Sequence, residues 1–147
     1  MKQNDLIILS HLRKDARKSM VELSKQTGIP ASTIYDRVNA HEKNSIKKYT
    51  ALLDFEKLGF NGRIYVALRS EGLKDRENLF IFLKNHKCVN SLYKVNFGFH
   101  YLFEAIFRNI GEAESFLQEL QEKFQLTEKR VFSVVEEVKK EEFLMES

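Results

Sequence analysis

Residues 27–38 read TGIPASTIYDRV, and this stretch constrains the fold of the chain more than any other. One helical pattern stops at Gly28, and a second restarts within a few residues of Pro30. Glycine tolerates the left-handed backbone that a helix stop often needs, and proline at a first helical turn lacks only an N–H that would be unpaired anyway. Ser19 followed by Glu22 is a capping-box pair, which predicts a helix from Met20 that buries Val21 and Leu23. Ser32 or Thr33 then opens a further helix in which Ile34, Val38 and His41 share one face. Ser32, Asp36, Asn39 and Lys43 lie on the opposite face, with Tyr35 on its flank, and Asn44 is expected to close this helix in the left-handed conformation. Upstream, Asn4 or Asp5 is expected to cap a helix whose apolar face is Leu6, Leu9 and Leu12. Two short helices joined by a glycine-containing turn make a helix-turn-helix, which presents the polar start of its second helix to a DNA major groove.

Beyond Ile46 the period changes. Residues 46–53 look extended, and a turn around Gly59 and Asn61-Gly62 follows. Strands are expected over 63–69, 92–97, 100–108 and 130–138. Gly98-Phe99 is read as the two-residue turn between the second and third of them. Helices are expected from about Asp75, burying Leu79, Phe82 and Leu83, and along the stripe Ala113, Phe116, Leu117, Leu120 and Phe124. Strand–helix–strand–strand–helix–strand is a ferredoxin-like order, with both helices on one face of the sheet. The fold class is thus α+β: a winged-helix-type helix-turn-helix over 1–50, a linker over 51–61, and a ferredoxin-like βαββαβ regulatory and oligomerisation domain over 62–147. Most of the 12 phenylalanines belong to this second part. Some are expected on the uncovered sheet face, where they would favour a partner subunit over water.

Charge supports the division. The net charge of +3 separates into +5 over residues 1–50 and −2 over the remainder, so the basic surplus faces a polyanion from the first part. With 43% hydrophobic and 31% charged residues the chain is of the folded, soluble kind. No apolar run is long enough for a bilayer, and charges flank the one N-terminal apolar cluster, Leu6 to Leu9. A lone cysteine, Cys88, suits a reducing interior, so a cytoplasmic location is expected. His86, Cys88 and His100 lack the repeated spacing of a zinc site, and no phosphate loop or nucleophile elbow occurs, so neither metal nor cofactor is expected.

The segment LRKDARKSMVELSKQTGIPASTIYDRVNAHEKNSIKKYTALLDFEKLG resembles the N-terminal region of the Lrp/AsnC transcription regulators. The positions that carry the likeness include Asp5, Leu12, Ala16, Arg17, Glu22, Leu23, Gly28, Ser32, Thr33, Ile34, Arg37, Val38, Glu42, Ile46, Tyr49 and Gly59. The resemblance implies a homodimer with packed sheets, often assembled further into tetramers or octamers, with double-stranded DNA as partner and a small effector such as an amino acid. The sequence departs from the family pattern in three places. Pro30 stands where serine is usual, and His41 and Asn44 replace leucine and glycine. Phe97-Gly98-Phe99-His100-Tyr101 replaces the family's Thr-Gly-x-Tyr-Asp hairpin, keeping only the glycine and supplying no acid for an ammonium group.

The DNA-contact residues read from this pattern are Ser32, Thr33, Tyr35, Asp36 and Asn39 toward base edges. Arg17, Lys18, Arg37, Lys43 and Lys47 are assigned to phosphates, with Arg13 and Lys14 on the flank. The effector positions are Phe97, Gly98, His100 and Tyr101. Two alternatives accompany the regulator reading. One is an architectural DNA binder without effector; the other is a tetrapyrrole-binding enzyme similar to the sirohaem decarboxylases, suggested by His100.

Overall fold

The structure, a computed structural model, describes residues 2–145, and its contacts divide the chain into two compact units. The first comprises the residues up to Leu52 together with the tail from Val138 onward; the second runs from Leu53 to Glu137. The tail thus groups with the N-terminal residues, whereas the sequence reading kept it with the sheet.

In the first unit three helices are formed: α1 (Gln3–Lys14), α2 (Met20–Thr27) and α3 (Ala31–Lys43). The side chain of Ser19 accepts a hydrogen bond from the Glu22 N–H at 3.1 Å, and Gly28 ends α2 in the left-handed region at φ 75°. Both follow the sequence expectation. Ile34, Val38 and His41 are buried as expected, and Ile34 and Val38 close on Ile8, Leu12, Leu23 and Ile29. Four details differ. Val21 is exposed, because the short α2 buries only the Leu23 side of its surface. Leu6 is exposed too: the inward face of α1 is Asp5, Ile8 and Leu12, so Asp5 is an interior residue and not a cap. Pro30 itself occupies the N-cap of α3, ahead of Ser32 and Thr33. Asn44 ends α3 at φ −129°, outside the left-handed region, as its N–H turns to the His41 carbonyl at 3.1 Å. Residues 46–53, expected to be extended, form no helix and join no sheet ladder.

In the second unit the elements follow the order β1 (Gly62–Ser70), α4 (Leu73–Asn85), β2 (Val89–Lys94), β3 (Tyr101–Phe107), α5 (Ile110–Lys123) and β4 (Leu126–Ser133). The strands form one antiparallel sheet in the order β2-β3-β1-β4. Strict alternation along β1 sends Ile64, Val66 and Leu68 to the face covered by α4 and α5. There they meet Leu79, Leu83, Phe103, Phe116 and Leu120. The side chain of Asn109 caps α5 by accepting from the Glu112 N–H at 2.9 Å.

Three expectations shift in register. β2 begins at Val89, earlier than expected, because the chain must leave the ladder after Lys94 to make its turn. That turn centres on Phe97 (φ 59°) and Gly98 (φ 100°) rather than on Gly98-Phe99. β4 begins at Leu126, directly after α5, and its pairing with β1 ends at Ser133. Val135 and Val138, inside the strand expected over 130–138, are 97% and 85% exposed. The open face of the sheet is also less apolar than expected. It carries Tyr65 opposite Phe132, but at its centre lies Glu104, fully buried. Glu104 accepts from Arg63 Nε at 2.6 Å and from Asn90 Nδ2 at 2.7 Å. A buried carboxylate is tolerated only with such partners.

Candidate nucleic-acid interface

Burial of Ile34 and Val38 turns the opposite side of α3 outward. Ser32, Thr33, Asp36 and Lys43 are exposed, Tyr35 is 57% exposed, and Asn39 is half-buried. Lys47 and Lys48 follow, exposed, in the segment after α3, and Lys14 and Arg17 are exposed between α1 and α2 or at their ends. Hydroxyls and a phenol at the head of a helix, with an amide and lysines further along, are the kinds of group that read base edges and hold phosphates.

Two residues assigned to phosphates are committed elsewhere. Arg37 donates from Nε to Asp5 Oδ1 at 2.7 Å and from its Nη2 to Asp5 Oδ2 at 3.2 Å, a bidentate pair that ties α3 to α1. The pair holds α3 against α1 while leaving the Arg37 side chain 41% exposed. Lys18 donates to Gln26 Oε1 at 2.7 Å and lies 3.3 Å from His11 Nδ1, bracing α2, while Arg17 stays outside.

His41, where the family pattern has leucine, completes the Asp5 cluster. Its Nε2 lies 3.1 Å from Asp5 Oδ1, and its Nδ1 faces the Ser45 hydroxyl. An ionised carboxylate only accepts, so the proton between them belongs to Nε2. Sequence reasoning missed this role because Asp5 and His41 meet only in three dimensions.

The Arg37 guanidinium holds the Asp5 carboxyl down at about 2, against the opposing pull of burial, with His41 assisting. A carboxyl whose pKa is lower in the folded than in the unfolded chain stabilises the fold above the unfolded value of 3.8. That contribution is expected to disappear as pH falls from 3.8 toward 2. Urea midpoints measured across this window should fall more steeply for the wild type than for Asp5→Asn, by the uptake of one proton. Equal slopes would contradict the coupling.

In the second unit, the effector positions of the sequence reading separate. Phe97 is 95% exposed at the hairpin tip. Tyr101 is buried and its hydroxyl donates to the Arg76 carbonyl at 3.1 Å, and His100 Nδ1 accepts from the Ser70 N–H at 3.1 Å. Burial, with Arg76 and Arg69 nearby, lowers the His100 imidazole pKa below its ordinary value, against the opposing pull of Glu71. Those two side chains anchor the hairpin from within. Beside Gly98 opens a cavity of about 350 Å³ lined by Arg69, Glu71, Phe99, Thr127, Glu128 and Arg130. Arg69 Nε donates to Glu71 Oε1 at 2.7 Å, and that guanidinium holds the Glu71 carboxyl below its ordinary range. The acid missing from the hairpin sequence is therefore brought to it by neighbouring strands: Glu128 stands opposite Arg69 in the β1–β4 register. That register was the only signal for it.

His86 packs against Phe116 at 4.7 Å, and its Nδ1 accepts from the Cys88 N–H at 3.1 Å. Among the described residues no cluster of His, Cys, Asp and Glu is arranged to hold a metal ion. No described helix is long and apolar enough to cross a membrane.

Residues 1–43 match the family model of winged helix-turn-helix DNA-binding domains. An HTH-type transcriptional regulator of Pyrococcus horikoshii is 31% identical over 143 residues, covering 97% of this chain and 95% of that protein. The chain belongs to the Lrp/AsnC family of HTH-type transcriptional regulators. As an Lrp/AsnC protein it is a DNA-binding regulator of transcription and not an enzyme. The fold agrees at lower identity. An AsnC family regulator from Agrobacterium tumefaciens superposes with a TM-score of 0.83 at 20% identity, over 95% of this chain and 94% of that one. A regulator from Neisseria meningitidis, solved in complex with L-Met, superposes with a TM-score of 0.85 at 20% identity, over 95% and 93%.

Proposed function

We propose that this Lrp/AsnC regulator binds a specific operator as a homodimer or larger homo-oligomer, and that a zwitterionic amino acid in the hairpin cavity controls it. Residues 1–50 read DNA, 51–61 connect, and the sheet domain regulates and assembles. The observation that carries the effector reading is the charge set around Gly98. Glu128 offers a partner for an ammonium group and Arg130 one for a carboxylate. The L-Met complex of the Neisseria regulator supports an amino acid as the class of ligand. Specific DNA reading rests on the exposed hydroxyls of Ser32 and Thr33, with Tyr35 and Asn39 beside them.

Calorimetry of the full-length protein against a panel of L-amino acids tests the effector. One member is expected to give a saturable signal, weakened at least about tenfold by Glu128→Gln or by Arg130→Ala. Silence across the panel would remove the effector and leave the architectural alternative. A signal that both variants leave intact would move the ligand to another site.

A further inference from the structure

Arg13 ends α1 among the basic residues that the sequence assigns to the DNA backbone, yet its guanidinium is already occupied. Nε donates to the Phe143 carbonyl at 2.9 Å, and Nη1 lies 3.3 Å from a Glu141 carboxylate oxygen. The segment that delivers these two oxygens is acidic, with Glu142 beside Glu141. It is also strained: Glu141 (φ 55°) and Leu144 (φ 61°) both adopt left-handed backbone that residues with a Cβ avoid. The ion pair is open to water, the side chains of Arg13 and Glu141 being 35% and 50% exposed. Water-exposed pairs are held weakly, and backbone strain offsets part of what holds this one. Two oxygens, one charged, on the fork of one guanidinium are also what a DNA phosphate presents to arginine.

We propose that the C-terminal segment Glu141–Leu144 is a releasable strap that stands in for a DNA phosphate at Arg13 and lowers the affinity of the free protein for DNA. The inference rests on the reading of the α1–α2 flank as a backbone contact. Binding to DNA exchanges the tail oxygens for phosphate oxygens, so the strap works as a built-in competitor. Any change that stiffens or frees the tail would tune affinity without touching the recognition helix.

The test uses the full-length protein and a mixed-sequence duplex long enough for two half-sites, because phosphate contacts are indifferent to sequence. Fluorescence anisotropy at low salt is expected to show tighter binding by Glu141→Gln, by about two- to fivefold, the range of an exposed ion pair. Arg13→Ala is expected to weaken binding and to reduce the slope of log affinity against log salt by about 0.9 for each Arg13 engaged. In the Arg13→Ala background the Glu141→Gln gain should vanish, since the two residues act through one contact. Glu142→Gln is the control for general charge, being adjacent but without a contact to Arg13. Equal gains from Glu141→Gln and Glu142→Gln, persisting without Arg13, would overturn the strap in favour of simple repulsion. A loss of affinity in Glu141→Gln would overturn it in favour of support. Wild-type protein that binds while Glu141→Gln leaves it unchanged also sinks the strap. No binding by wild type or variants would instead sink the underlying reading of the flank as a backbone contact.

Discussion

Ile34→Ala is expected to abolish DNA binding by unfolding the helical unit while the sheet unit persists. Ile34 is fully buried directly behind Ser32, Thr33 and Tyr35, and packs with Ile8, Leu12, Leu23, Ile29 and Val38. Truncating such a side chain to alanine costs about 2–5 kcal/mol, from lost burial and from the cavity left behind. Whole domains are stable by only about 5–15 kcal/mol, and small ones sit at the low end. The sheet unit has its own core around Phe103, Leu79 and Leu120, to which Ile34 does not belong. Hydrogen exchange resolved by residue is the measurement. Amides of α1, α2 and α3 should lose protection while those of β1, β3 and β4 keep theirs. Uniform loss across both units would mean that the chain unfolds as one cooperative body.

The second large effect falls on Gly62→Ala, at the start of β1. A Cβ there would lie 2.4 Å from the Asn109 carbonyl oxygen and 2.6 Å from its carbon. Both are backbone atoms of the residue that caps α5, so no side chain can swing aside. The strand start or the helix cap must move, at a cost of at least about 3 kcal/mol, the upper end for overpacking. The urea midpoint of the sheet unit should drop with little change in slope. Gly72→Ala is the contrast, since its Cβ would meet Asp75 Cβ at an ordinary 3.5 Å. It should cost no more than about 1 kcal/mol, as expected for alanine at a helix N-cap. Comparable losses in both would show that conformational freedom, not space, governs Gly62.

Features set by neighbours in sequence were legible from the sequence. The Ser19–Glu22 cap, the Gly28 stop and the alternation of β1 each rest on residues a few positions apart, and each stands in the structure. The resemblance supplied domain order, which periodicity alone leaves loose. What escaped were roles created by distant pairing. Asp5 has the composition of a helix cap, and only Arg37 and His41 arriving from α3 make it an interior anchor. Arg37 reads as a phosphate ligand for the same reason: its partner is invisible until α1 and α3 pack. The hairpin lacks an acid in sequence, yet β4 delivers Glu128 beside it. The expected strand reached Val138, but Val135 and Val138 are exposed beyond the end of the ladder, because β4 begins immediately after α5.

Specific reading of DNA by the exposed head of α3 is tested most directly by immunoprecipitating the protein from its own cells and sequencing the bound DNA, for wild type and Tyr35→Ala together. Wild type should give a limited set of sharp peaks that share a near-palindromic motif, its half-sites one helical turn or a multiple apart. The variant should lose the motif while keeping residual, salt-sensitive binding through its lysines. Broad coverage without a motif, unchanged by Tyr35→Ala, would contradict sequence-specific regulation and establish an architectural protein instead.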